Sequence, residues 1–146
     1  GAATGTTVSH LSDISRKGII YAVENSPIAV KKFINLCEKR SNIIPIFEDA
    51  NHPDRYSLIV ANVDLVYQDI SQRNQAGIFS SNINRYLKKG GYGILMVKAR
   101  SIDISLKPKK AYRSWIHYSG RKYPFPKELK ISLVSEKYSS IETNFG

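Results

Sequence analysis

One cysteine, one methionine and one tryptophan are all that 146 residues supply of those types. A lone Cys37 leaves no intramolecular disulfide and no cysteine-based metal cluster, so no metal is expected and the chain suits a reducing compartment. No apolar run approaches the ~18 residues of a membrane span, and no membrane partner is expected. Acidic residues are scarce as well. Lys and Arg outnumber Asp and Glu 22 to 12, a formal charge of +10 with a pI near 9.7, which favours a polyanionic partner such as nucleic acid. The surplus is uneven, because residues 98–146 hold eleven cations against four acids. A solvated basic face with no partner would explain the same composition.

Glycine is sparing where it matters most. The opening run Gly1-Ala2-Ala3-Thr4-Gly5-Thr6-Thr7-Val8-Ser9-His10 has two glycines, whereas a dinucleotide fingerprint needs three in fixed places. Those two still let a ligand approach the main chain closely. From Thr6 a helix is predicted, with free N–H groups and a dipole that favour a carboxylate or phosphate. A plain connection into a helix is the alternative.

What is present is a regular alternation. Gly18–Glu24 reads as a buried strand ending in an acid. Val30, Phe33, Ile34 and Cys37 form one stripe of a helix starting near Pro27, with Cys37 in the core. Asn42–Ala50 is a second strand, placed at or near an edge by Pro45. Val63–Asp69 is a third. A helical face follows at Ala76, Phe79, Ile83, Tyr86 and Leu87, closed by Lys88-Lys89-Gly90-Gly91. Tyr92–Lys98 is a fourth strand, Tyr118–Lys127 a loop, and Leu129–Val134 a further strand, with a final strand expected but not found before Gly146. Strands alternating with helices imply an α/β fold with a mostly parallel sheet and right-handed crossovers.

In such sheets ligands bind beyond the carboxyl ends of the strands. That edge here carries Gly1–Thr7, Glu24, Asp49, Asp69 and Lys98. Each has a task if the ligand is S-adenosylmethionine: helix N–H groups for its carboxylate, Glu24 for the ribose hydroxyls, Asp49 for the adenine amino group, Asp69 near the sulfonium. Helix caps and solvated turns are the alternative for isolated acids. Further on, Lys107, Lys109, Lys110 and Arg113 are interleaved with Tyr112 and Trp115, which suits a phosphate backbone with stacked bases. A buried stripe of Tyr112, Trp115 and Ile116 on a basic-faced helix fits the same spacing.

Gly1–Ile14, Tyr21-Ala22-Val23-Glu24, Asn42-Ile43-Ile44-Pro45-Ile46, Glu48-Asp49-Ala50, Asp69-Ile70-Ser71-Gln72 and Lys98-Ala99-Arg100-Ser101-Ile102-Asp103 together resemble the fibrillarin family of RNA 2′-O-methyltransferases. The resemblance covers residues 1 to about 105. It implies a Rossmann-like S-adenosylmethionine-dependent methyltransferase fold with helices on both faces of the sheet; by length, residues 1–146 read as one methyltransferase domain, expected to be incomplete at the N-terminus and the C-terminus. It also implies that Thr6, Thr7, Glu24, Asn25, Asp49, Ala50, Asp69, Ile70, Ser71 and Gln72 contact S-adenosylmethionine. Members of the family methylate ribosomal RNA under box C/D guide RNAs, held by a Nop-family scaffold protein, with a kink-turn-binding ribosomal-type protein in the same particle. Their setting is the nucleolus in eukaryotes and the cytoplasm in archaea.

Of the family's Lys, Asp, Lys and His, Asp69 and Lys98 match the second and third, and Glu142 falls where the His stands. The first Lys, and a central strand, would lie upstream of Gly1. Asn25 and Arg73 replace a common Phe and Pro. A lysine beside a sulfonium and partly desolvated is expected to have a lowered pKa, which makes Lys98 the candidate base and Asp69 its orienting partner. Two other functions stay open at this point: a non-catalytic RNA-binding paralogue and a nicotinamide dehydrogenase, whose ribose diol Glu24 would also suit.

Overall fold

The computed structural model describes residues 1–97, 115, 118, 119, 121–123, 125, 130–134 and 140–144. It divides into two compact units, Gly1–Val60 and Ala61–Gly146, with separate hydrogen-bonded sheets.

In the first unit, helix α1 (Thr6–Ile14) follows the glycine turn, strand β1 (Ile20–Glu24) leads through helix α2 (Pro27–Cys37) to strand β2 (Ile43–Phe47), and a 3-10 turn spans Pro53–Tyr56. β1 and β2 pair in parallel from Ile20 opposite Ile43 to Glu24 opposite Phe47, the βαβ arrangement that the alternation predicts. α2 begins as its sequence dictates: Pro27 stands in the first turn, and the Ala29 N–H donates to the Ser26 hydroxyl at 3.3 Å. Its buried stripe differs from expectation. Phe33 is buried and Leu36 and Cys37 pack beside it, but Ile34 is 43% exposed. The reason is the approach of the opening turn. A Cβ on Gly5 would lie 2.5 Å from Leu36 Cδ2 and 2.7 Å from Phe33 Cδ2, so the turn itself covers the Phe33–Leu36 arc. Cys37 is half-buried at the margin of the core rather than inside it, and that burial pushes its thiol above the ordinary value.

The far end of α1 is fastened separately. Ser12 Oγ and Asn42 Oδ1 are 2.6 Å apart, Asn42 Nδ2 donates to the Ser12 and Ser15 carbonyls, and Arg40 pairs with Asp13. The cap that satisfies the last turn of α1 is thus the side chain of Asn42, just before β2 and far away in sequence.

The second unit holds strand β3 (Val63–Asp69), helix α3 (Gln75–Tyr86) and strands β4 (Leu87–Met96), β5 (Lys130–Val134) and β6 (Ser140–Asn144), in spatial order β3-β4-β5-β6. The first two ladders are parallel and β5–β6 is antiparallel. Its core is Ala76, Phe79, Ile83, Leu95, Val97 and Trp115, with Val66, Leu87, Tyr123 and Phe125 packed against it.

Three expectations are corrected here and one open alternative is decided. Lys88–Gly91 does not end the helix in a free turn: Leu87 packs on the core and carries the chain straight into β4. Pairing then jumps from Val63–Leu87 to Leu65–Tyr92, so the extra residues form a bulge with Gly90 at φ 77°. Second, β6 supplies a final strand that the sequence pattern did not show. The stretch between β5 and β6 is too short for a parallel crossover, which needs about a dozen residues, and the strand returns antiparallel. Third, Tyr118, Ser119, Arg121 and Lys122 are helical rather than loop. Last, Trp115 is buried at 8% exposure in the core, so it is no stacking platform.

Candidate functional site

The carboxyl end of β1 is where the first unit gathers its polar groups. The Ala2 N–H donates to the Val23 carbonyl at 3.0 Å, which lays the opening turn beside the strand, and the Gly5 N–H donates back to Ala2 at 3.0 Å. Gly5 takes φ 98°, closed to most side chains, and Ala3 takes φ 49°. An alanine in that region is strained, and something must hold it there.

Glu24 does so. Its Oε2 accepts the Ala3 N–H at 2.6 Å, while Oε1 accepts the N–H groups of Asn25 at 3.0 Å and Ser26 at 2.9 Å. The carboxylate is buried, and three main-chain donors satisfy it where an unbonded charge would be costly. Oε2, with one donor, keeps acceptor capacity for a further hydroxyl. Glu24 therefore joins the turn to the start of α2, a role that sequence reasoning did not foresee because the partners are main-chain atoms.

Beyond the turn, Thr6 and Thr7 are exposed at the start of α1, which has neither a side-chain cap nor an acid in its first turn. Its leading N–H groups and dipole suit an anion. Asn25 is exposed immediately after β1. Asp49 and the half-buried Ala50 follow the end of β2, so Glu24 and Asp49 stand at the same ends of two paired parallel strands. Asp49 Oδ1 accepts the Asn51 N–H and its side-chain amide, both at 2.9 Å. Those donors, the main-chain N–H foremost, hold the Asp49 carboxyl below its usual value and keep it ionised.

In the second unit, Asp69 ends β3 and is followed by half-buried Ile70 and exposed Ser71, Gln72 and Arg73. Burial, and then the charge of Asp69, pushes the Tyr67 hydroxyl above its ordinary pKa. The start of α3 is pinned to β3 by Gln68, whose Nε2 donates to the Gln75 carbonyl at 2.7 Å. Gln75 itself is 1% exposed, and among the described residues neither end of its side-chain amide finds a partner. Sequence reasoning missed both glutamines. Their only signal is a polar residue in an inward-facing register, which pattern reading treats as noise. Lys98, Lys107, Lys109, Lys110 and Arg113 lie outside the described residues. Glu142 lies in β6, opposite Ser132. No group of three His, Cys, Asp or Glu suited to a metal occurs among the described residues, and no described helix is long and apolar enough to cross a membrane.

Parallel ladders, a glycine turn opening into an uncapped helix and an acid at the end of the next strand define a Rossmann-like methyltransferase fold. The profile of the fibrillarin family matches residues 1–133, and the chain belongs to that family. It is 49% identical over 113 residues to a fibrillarin-like rRNA/tRNA 2′-O-methyltransferase of Methanocaldococcus jannaschii, covering 77% of this chain and 49% of that protein. Among solved structures, the fibrillarin of a fibrillarin/Nop5p complex superposes with a TM-score of 0.78 at 50% identity, over 82% of this chain and 57% of that one. An Aeropyrum pernix fibrillarin with natively bound S-adenosyl-L-methionine gives 0.71 at 41% identity, over 80% and 51%. The chain thus spans about half the length of the relatives it matches.

Proposed function

We propose that this chain serves an S-adenosylmethionine-dependent RNA 2′-O-methyltransferase that acts on ribosomal RNA within a box C/D guide ribonucleoprotein. The observation that carries this reading is the Glu24-held turn opening into an uncapped α1. The donor set fits the methyl donor. N–H groups at Thr6 and Thr7 suit its carboxylate, Glu24 Oε2 has capacity for a ribose hydroxyl, and ionised Asp49 suits the adenine amino group. Asn25 and Ala50 flank those contacts, and Asp69, Ile70, Ser71 and Gln72 would meet the sulfonium end. The names of the M. jannaschii and A. pernix relatives support the reaction and the methyl donor.

S-adenosylmethionine supplies an electrophilic methyl group. Its transfer forms a bond to the ribose 2′-oxygen, breaks the methyl–sulfur bond, and leaves the hydroxyl proton to be taken up. Lys98 takes that proton, Asp69 orients Lys98, and Glu142 fills the fourth position of the set. Lys107, Lys109, Lys110 and Arg113 hold RNA phosphates, while base pairing with the guide selects the target. The partners are guide RNA and rRNA, a Nop-family scaffold, as the fibrillarin/Nop5p complex supports, and a kink-turn-binding ribosomal-type protein. The setting is the nucleolus in a eukaryote or the cytoplasm in an archaeon. Glu142 in place of His favours one other reading, a non-catalytic RNA-binding paralogue of the same fold.

Two measurements test the proposal. Calorimetry should show S-adenosylmethionine binding that Glu24→Ala weakens by about 1–3 kcal/mol, the cost of losing hydrogen bonds to a polar ligand. Lys98→Ala should abolish methyl transfer to guide-paired RNA and leave binding of the methyl donor nearly intact. Unchanged affinity in the first variant removes the site, and full single-turnover activity in the second removes the mechanism.

A further inference from the structure

We propose that Tyr118, Lys122 and Tyr123 form an RNA contact separate from the cations at 107–113: a platform that takes one base of a single strand on Tyr118 and its phosphate on Lys122. The inference rests on the RNA-binding reading above and deepens it.

The burial of Trp115 leaves the aromatic part of that reading without its tryptophan. A few residues on, the chain presents an alternative. Tyr118 is 56% exposed on a helical turn with exposed Arg121 and Lys122. Lys122 Nζ donates to the Tyr118 hydroxyl at 2.8 Å and lies 5.3 Å from the Tyr118 ring centroid and 5.6 Å from that of Tyr123. An ammonium held at the hydroxyl at that distance sits toward the end of the Tyr118 ring rather than above the middle of its face. The face is left for a base, because stacking needs only an exposed π-surface. The ammonium gives one of its three protons to the Tyr118 hydroxyl and also faces the Tyr123 hydroxyl, which leaves a proton for a phosphate. Lys122 is exposed and cationic at neutral pH, and the Tyr118 hydroxyl pushes its pKa further up.

The platform is anchored. The Tyr123 ring packs against the core of the second unit, and its hydroxyl donates to Asn74 Oδ1 at 2.6 Å. Gly77 makes room for this seat. A Cβ there would fall 2.5 Å from Asn74 Oδ1 and 2.8 Å from Tyr123 Cε1. Asn74 stands at the residue before α3, its side chain taken up by Tyr123 rather than by a helix N–H, and follows Asp69–Arg73, so the platform is tied to the loop assigned to the sulfonium end of the methyl donor. A strand stacked on Tyr118 would be held beside the reacting edge of this unit.

The test uses the full chain, a short labelled single-stranded RNA and the matching duplex DNA in fluorescence anisotropy, with calorimetry of S-adenosylmethionine as the independent readout. Tyr118→Ala is expected to weaken single-strand binding about tenfold and duplex binding far less, and Tyr118→Phe to restore most of the loss. Lys122→Gln is expected to flatten the salt slope by about 0.7, the share of one phosphate contact. Gly77→Ala, which displaces Tyr123, should lower RNA affinity in the same direction. Unaltered RNA binding in Tyr118→Ala and Lys122→Gln, with methyl-donor binding intact, overturns the platform and leaves the methyltransferase reading standing. Equal losses on RNA and duplex overturn the stacking role. Normal RNA losses in a protein that binds no S-adenosylmethionine support the platform and overturn the enzyme instead.

Discussion

The two units reach order by different means. In Gly1–Val60 the elements are short, the core is small, and the polar edge is built from main-chain atoms: three N–H groups on Glu24 and two on the Ala2–Gly5 turn and β1. In Ala61–Gly146 a larger apolar core surrounds Phe79, and the stretch between β3 and α3 is positioned by side chains, Gln68 on Gln75 and Tyr123 on Asn74. The first unit depends on backbone conformation at a few residues; the second depends on packed volume. Substitutions should separate the two.

The largest effect is expected at Phe79, which is fully buried. Phe79→Ala should destabilise the second unit by about 3–5 kcal/mol through lost transfer energy and a residual cavity. Hydrogen exchange should show the loss in β3 and β4 more than in β1 and β2. Equal loss across both units would mean that they unfold together and that the contrast is false.

A smaller effect, confined to the first unit, is expected at Gly5. Gly5→Ala meets both a positive φ and contacts with Leu36 and Phe33 below van der Waals separation, and should cost about 1–3 kcal/mol. It should also weaken binding of S-adenosylmethionine, since the start of α1 moves with the turn, while exchange in α3 stays as in the parent. Wild-type affinity would sever the link between turn geometry and ligand.

The smallest change is expected at the Lys88–Asp64 pair, 2.9 Å apart with side chains 50% and 86% exposed. Solvent screens such a pair, so Lys88→Ala should lower the unfolding free energy measured by denaturant titration by no more than about 0.5 kcal/mol. A loss above about 1.5 kcal/mol would show that the start of β4, and not the core alone, secures the second unit.

Much of this architecture was legible. β1, α2, β2 and β3 lie inside the predicted segments because apolar runs and a 3.6-residue stripe leave few other ways to bury the same residues. The beginning of β4 was not, since Lys88-Lys89-Gly90-Gly91 has the local chemistry of a helix end and only the packing of Leu87 overrides it. Trp115 shows the same limit. Its spacing among cations fitted a surface platform and a buried stripe equally, and burial against Phe79 and Ile83 decided between them. The exposed pair Tyr118 and Lys122 went unnoticed because proline-rich surroundings read as loop.

The sequence by itself determined the alternation of strands and helices, the acids that close β1 and β3, and the family, because those depend on residue type at short, fixed spacing. Tertiary structure alone decided what those acids do. Glu24 became the clasp of a strained turn once Ala3 was brought across from the start of the chain, and Tyr123 became a support for Asn74 once Gly77 let it approach. Each of these contacts joins residues more than twenty positions apart, and contact at that separation is set by the packed fold rather than by local preference.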